Sequence, residues 1–268
     1  MTPTYLTEVV GILAQTRPLI QALGTQAVTS GMSVTWPYYD GASGPLVGIQ
    51  ATEKTVITSA RADIKSATKS LTTFAGGGDL SIQLIEHSDP SYLDAFLRIA
   101  FAEYAGLTDA AFAASLVTSA GTAITYTKGA PAAFLDAFLT ASISVASETG
   151  APPAAVVCGR TIFAKIVGAR DTTGRALYPA LGPVNSEGTA GPAGLSGTIL
   201  GVPIILDGGV DPDTAIVTNS TAAKWGEDGP RTMTADVPSK LGRDVAIYGY
   251  GAPLVYIPAG VKVIKEAP

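Results

Sequence analysis

Apolar residues recur three or four positions apart in three stretches of the chain, and each stretch is bounded by helix punctuation. Leu6, Val9, Val10 and Leu13 predict a short amphipathic helix over residues 4–16 that stops before Pro18. Leu93, Phe96, Leu97, Ala100 and Tyr104 share one face of a helix that Asp89 can cap and Pro90 can open. The following TDAAFAASLVTS, with Thr108 as a candidate cap, continues that helix or follows it at an angle. PAAFLDAFLTASISVASETG is a third helix, announced by Pro131 and ended by Gly150.

Between the first two helices the pattern changes. SVTWPYY is strand-forming, GASGP is turn-like, and TVITSARADIKSATKSLTTF is rich in β-branched residues yet nearly empty of core formers. Within TVITSARADIKSAT the strongly apolar positions are Val56, Ile57 and Ile64. A hairpin of that composition has little to bury against its own domain, so it is either loose or partnered by another molecule. From residue 151 the texture is α/β. AAVVCG reads as a buried strand, TIFAKIVGA as a short helix and RDTTGRALYP as a turn with a polar tip. A Gly- and Pro-rich loop, GPVNSEGTAGPAGLSG, precedes ILGVPIIL, a strand whose Pro203 argues for an edge or a bend. DPDTAIVTN predicts a strand, STAAKW a helical turn, and DVAIYGYGAPLVYIPAGVKVIK a closing β segment. The mix is α+β, with no internal repeat.

The 268 residues suffice for one large domain or two modest ones. Only 15% are charged, well below the usual quarter, so Ala, Thr, Ser and Gly cover much of the surface and invite protein contacts. The net charge of −5, with basic residues scattered, argues against avid nucleic-acid binding. The single cysteine, Cys158, lies in the apolar run AAVVCGR, which fits a reducing compartment and a small buried hydrophobe. The N-terminus lacks the basic start of a secretory signal. The uncharged runs at 110–127 and 188–206 are broken by Ser and Thr or by Gly and Pro, so neither suits a bilayer span and a soluble cytoplasmic product is expected.

Candidate chemistry is sparse. In TTFAGGGDLSIQLIEHSDP, Gly76, Gly77 and Gly78 run into Asp79 and Leu80, with no lysine before Lys128. That order would repel a phosphate, so the glycines read as a flexible joint. His87, the only histidine, sits beside Glu86 and near Asp89, where a surface or capping role is expected. One His and one Cys in separate segments supply no structural zinc site, and the DPD at 211–213 lacks the ligand spacing of a calcium loop. Asp171, Glu187, Asp207, Asp211 and Asp213 fall in loops with nothing in the sequence to pair any two of them. Arg170 and Arg175 flank a polar tip and read as contacts to a partner chain. No catalytic residue, metal site or cofactor is expected.

Three segments, in order, resemble the major capsid proteins of tailed bacteriophages. LTTFAGGGDLSIQLIEHSDPSYLDAFLRIAFAEYAG is similar to the run into that family's spine helix. AAVVCGRTIFAKIVGARDTTGRALYP is similar to a strand, helix and turn of its axial domain, and LSGTILGVPIILDGGV followed by TAIVTNSTAAKW to the strand after them. The resemblance implies the α+β HK-ninety-seven-type capsid fold: an N-terminal arm over residues 1–32, an extended loop over 33–75, a peripheral domain over 76–130 and 226–268 with its spine helix, and an axial domain over 131–225.

It further implies a structural protein of the virion, assembled in the bacterial cytoplasm. Its principal partner would be itself, in pentamers and hexamers of an icosahedral shell enclosing double-stranded DNA, with portal, scaffold or decoration proteins as further partners and no membrane. Glu53, Lys54, Arg61, Asp63 and Lys65 would touch a sister subunit, Arg170, Asp171 and Arg175 would form the axial-domain tip, and Gly76, Gly77 and Gly78 would be the hinge. The family's prototype joins an extended-loop Lys to a peripheral-domain Asn with a Glu assisting. Here Lys54, Lys65 and Lys69 are present, but VPSKLGRDVAIYGYGAPLVYIP has neither Asn nor Glu, and the only asparagines are Asn185 and Asn219, so a non-covalent shell is expected. Because Met1 lies close to the shell region, a separate scaffold protein or none is implied. The alternatives are an encapsulin-type nanocompartment that packages a cargo protein and, from another class, an α+β hydrolase using loop carboxylates.

Overall fold

The computed structural model describes residues 16–54, 56–87, 92–127, 131–169 and 196–267. The helix expected over 4–16, the Asp89 cap, the Arg170, Asp171 and Arg175 tip and most of the Gly- and Pro-rich loop therefore lie outside the described residues. In chain order come α1 (Pro18–Leu23), β1 (Thr25–Ala27), β2 (Ser33–Ala42), β3 (Ala62–Ser70), β4 (Thr72–Ser81), α2 (Ile82–His87) and α3 (Tyr92–Ser119). Then follow β5 (Ile124–Tyr126), α4 (Pro131–Thr149), β6 (Ala155–Cys158), α5 (Arg160–Gly168), β7 (Ser196–Ile199), β8 (Val202–Leu206), β9 (Thr214–Thr218), β10 (Ala223–Val237), β11 (Gly242–Val255) and β12 (Lys262–Glu266). They form a four-stranded sheet, β1-β10-β11-β4, a six-stranded sheet, β5-β12-β9-β6-β8-β7, and a separate two-stranded ribbon, β2-β3.

The six-stranded sheet is buried on both faces. All four residues of β6 and all five of β9 are buried, which is why these strands read as unbroken apolar runs instead of alternating ones. One face packs Val156, Cys158, Ile204 and Val217 against Phe134, Phe138 and Val145 of α4 and Ile162 of α5. The other packs Val157, Ile216 and Val263 against Phe112 and Leu116 of α3 and Leu19, Ile20 and Leu23 of α1.

Helix α3 is the beam that links the two sheets. Its 28 residues run without a break, about 42 Å at the usual rise, so TDAAFAASLVTS continues the helix. Thr108 caps nothing, because its hydroxyl donates to the Tyr104 and Ala105 carbonyls inside the helix. The N-terminal half of α3 lies on the four-stranded sheet, where glycines let it approach. The β11 segment Gly249-Tyr250-Gly251 alternates so that Tyr248 and Tyr250 take the far face while Gly249 and Gly251 face inward. A Cβ at Gly249 would overlap the Tyr104 ring, one at Gly251 would overlap the Trp225 ring, and one at Gly78 would lie 2.9 Å from the Phe96 ring.

Several expectations shift. Gly76, Gly77 and Gly78 form no loop: they lie within β4 and pair with Ile247, Ala246 and Val245 of β11, and of the three only Gly78 lies against a helix side chain, the Phe96 ring. ILGVPIIL is a hairpin, with Leu200 (φ 50°) and Gly201 (φ 82°) forming its two-residue turn. Pro203 sits on β8, one strand in from the edge strand β7, and is tolerated because pairing to β6 begins only at Ile204. STAAKW is a tight turn that runs into β10. Residues 18–27 belong to the body, with Leu19 fully buried and β1 paired in parallel to β10. Finally, β12 lies in the six-stranded sheet between β5 and β9, outside the span expected to build that unit, because Val263 and Ile264 fill its two opposite cores.

The glycine contacts are testable by urea unfolding of the unassembled chain. Valine is the better strand former by up to about 1 kcal/mol, so a loss on substitution reports the ring contact. Gly249→Val and Gly251→Val are each expected to lose about 1–3 kcal/mol or more. Gly76→Ala, which meets nothing within 4 Å, is expected to lose none.

Candidate assembly surfaces

The ribbon is anchored at its root and bare at its tip. Val34 and Trp36 pack with Leu71, Tyr250, Leu254 and Tyr256 on the face of the four-stranded sheet opposite α3, and Trp36 meets Tyr256 edge-on at 5.5 Å between ring centroids. The ladder then runs from Ser33↔Ser70 to Ala42↔Ala62 with a bulge between Tyr39 and Gly41, and Ser43 and Arg61 make the last bonds across it. Beyond them Val47, Ile49 and Val56 are 87%, 98% and 97% exposed. Three branched aliphatic side chains standing in water leave about 1.5–3 kcal/mol each of burial unrealised.

The ribbon's charges are largely paired within it. Arg61 lies 3.7 Å from Asp63, and Lys65 bonds Asp40, whose carboxylate raises the lysine's pKa. Glu53 and Lys54 sit exposed at the tip, Lys54 with φ of 61°, and neither has an ion pair among the described residues. Of the five charged positions expected to reach a sister chain, the structure thus ties Arg61, Asp63 and Lys65 into the ribbon and leaves Glu53 and Lys54 open.

Two polar knots fasten the N-terminal segment to α3, and neither was legible in the sequence. Arg17 donates to both Glu227 oxygens at 2.9 and 3.0 Å, and the Tyr104 hydroxyl donates to the same carboxylate at 3.2 Å. Burial, reinforced by the Glu227 charge, pushes the Tyr104 phenol up. The second knot joins Asp109 of α3 to Asp207, just after β8. Asp109 Oδ1 accepts the Ile20 N–H at 3.0 Å and Asp207 Oδ1 accepts the Gly209 N–H at 2.7 Å. The second oxygen of each carboxyl is buried without a hydrogen-bond partner. Desolvation, then the hydrogen bond and charge of Asp207, push Asp109 up to about 8 against the lowering effect of the backbone N–H groups. Asp207 was one of the loop carboxylates without an evident mate; Asp109 was hidden inside a helical pattern.

Cys158 is fully buried, and burial pushes its thiol up. His87 is exposed at the end of α2. Among the described residues, no three His, Cys, Asp or Glu side chains gather to hold a metal, and no helix is long and apolar enough to cross a membrane. Asn219 is committed: its amide donates to Thr149 Oγ1 at 2.7 Å and the Ala151 carbonyl at 3.0 Å, and its oxygen accepts the Thr221 and Ala222 N–H groups.

By sequence, no family model and no curated protein matches the chain. Solved structures do match by shape. The capsid of the native GTA particle, computed with C5 symmetry, is 16% identical with a TM-score of 0.77 over 100% of this chain and 96% of that one. A chain of Mycobacterium phage Adephagia is 14% identical with a TM-score of 0.76 over 100% and 95%. One of Gordonia phage Cozz is 16% identical with a TM-score of 0.75 over 100% and 92%. The likeness extends over the full described architecture, and the chain has the HK-ninety-seven-type capsid fold.

The Asp109–Asp207 pair makes stability depend on pH. The folded pKa of Asp109 lies above its unfolded value, so its contribution is complete below about pH 4 and is lost as pH rises towards 8. Chemical unfolding of the unassembled chain is expected to show stability falling over that window, by at most about 1.4 kcal/mol per pH unit. Asp109→Asn, whose amide can donate to Asp207, is expected to flatten the slope.

Proposed function

We propose that this chain is the major subunit of a phage-type capsid, a structural protein that closes into pentamers and hexamers around double-stranded DNA. The observation that carries the reading is the ribbon: a paired two-stranded arm, rooted on Trp36 and ending in aliphatic side chains that its own body does not cover. Such an arm costs a lone molecule solubility and gains its return only against a neighbour, through heterologous contacts that repeat and close into rings. The fold likeness to a capsid computed with C5 symmetry supports the same reading. The Arg170, Asp171 and Arg175 tip, in this reading, faces its equivalents around a ring axis.

The acidic balance fits a container, because a wall that bound phosphate tightly would oppose movement of the packaged DNA. Exposed charges such as Glu53 and Lys54 contribute about 0–1 kcal/mol each and serve to set register, while buried area holds the shell. Hydrolase chemistry finds no support in the Asp109–Asp207 pair, whose carboxyls are buried. The named solved structures, from phages and the GTA particle, favour the DNA container over a cargo-protein compartment.

Negative-stain microscopy of the purified chain, or of particles from producing cells, tests the reading: closed shells are expected, and a compact monomer at all concentrations would overturn it. Boiled, reduced gels of mature particles are expected to show one band at the 27.2 kDa of a single chain. With Asn219 fully engaged in the fold, a ladder of multimers would contradict a non-covalent shell.

A further inference from the structure

Asp109 and Asp207 line a cavity of about 660 Å³ formed by α3, the residues entering α1 and the turn after β8. Thr16, Glu103, Gly208 and Gly209 are among its other walls, and none of the described residues lining it is Lys, Arg, His or Cys. At about 30 Å³ for each water of the liquid, it holds several waters beside the pair. The carboxyls themselves are withdrawn from solvent, Asp109 being 1% exposed and Asp207 3%. Each Oδ1 accepts a backbone N–H, from Ile20 or from Gly209, and each Oδ2 is buried without a partner.

The two carboxyls lie within hydrogen-bond reach of one another. Ionised carboxylate oxygens only accept, so two of them tolerate such an approach when something positive lies between them, either a proton or a metal ion. The lining offers no basic side chain for that purpose. Its donor set decides which metals suit it. With neither thiolate nor imidazole present, soft and borderline ions such as zinc are disfavoured, whereas hard divalent ions take oxygen ligands alone. Such an ion is commonly held by one or two carboxylates with water completing its shell, and here the cavity supplies the water.

We propose that the Oδ2 atoms of Asp109 and Asp207 hold one hard divalent cation, Mg²⁺ or Ca²⁺, whose remaining ligands are waters in the adjoining cavity. The ion ties α3 to the turn after β8 and, through Asp109 Oδ1 and the Ile20 N–H, steadies α1. The site stands whether or not the chain builds a shell. Purified chain, stripped with chelator and titrated with MgCl₂ or CaCl₂ in mildly alkaline buffer, is expected to bind one ion with a Kd of about 0.1–1 mM by calorimetry. It is also expected to melt higher in about 10 mM of the better salt than in NaCl of matched ionic strength. The two titrations identify the ion. Asp207→Asn keeps an acceptor for the Gly209 N–H and gains an amide that can donate to Asp109, so it is expected to melt in chelator no lower than the parent. Its affinity for the ion is expected to fall by at least about tenfold, and Asp109→Asn repeats the test from α3. Glu103→Gln, on the exposed part of the lining, is expected to bind like the parent. Parental affinity in Asp207→Asn, or binding lost in Glu103→Gln instead, would overturn the site. So would the absence of saturable binding by the parent up to about 10 mM of either salt, which would leave a proton alone to neutralise the pair.

Discussion

The close approach of α3 to the four-stranded sheet governs the rest of the molecule. A helix normally rests on a layer of sheet side chains, but here Tyr104 and Phe96 of α3 lie over Gly249 and Gly78, so helix rings fill space that side chains of the sheet would otherwise occupy, and the Trp225 ring of β10 spreads over Gly251 beside them. Lowering the helix brings Phe74, Phe112 and Trp225 into one stack, with centroids 5.6 and 6.1 Å apart, and that stack joins the two sheets through a single beam. Because packed interiors tolerate little change of volume, the relative placement of the two sheets follows from these few contacts.

The two faces of the four-stranded sheet do different work. The inner face holds α3, while the outer face offers Tyr250, Leu254 and Tyr256 as a socket for the ribbon root. A two-stranded ribbon is marginal by itself, and this one keeps its direction because Trp36 fixes its base and internal ion pairs stiffen its length. The body of the chain is thereby satisfied and its extension is not, which is the division expected of a part built to be completed by its neighbours.

Much of this could be read in advance. The three-four spacing of Leu93, Phe96, Leu97, Ala100 and Tyr104 located α3, Pro131 and Gly150 bracketed α4, and the scarcity of apolar residues across 55–68 marked a ribbon lacking its own core. What escaped is what depends on distant partners. A run of glycines carries the same local signal whether it bends in a loop or lies flat beneath a ring, so Gly76, Gly77 and Gly78 read as a joint when β11 makes them a strand. Asp109 looked like an ordinary polar position in an Ala-rich helix, and only the fold brings Asp207, 98 positions further along, to it. The assignment of β12 to the six-stranded sheet likewise depended on which of two cores had room for Val263 and Ile264.

The parallel pairing of Thr25, Gln26 and Ala27 with Trp225, Gly226 and Glu227 imposes an order on biosynthesis. Strand β1 pairs with residues 200 positions further along the chain, a separation that places its docking late on the folding path. Until then Leu19, Ile20 and Leu23 lack the Trp225 and Val263 part of their cluster, and Arg17 lacks its Glu227 carboxylate. A polypeptide that ends before Glu227 therefore lacks both the strand and the carboxylate that hold this segment in place.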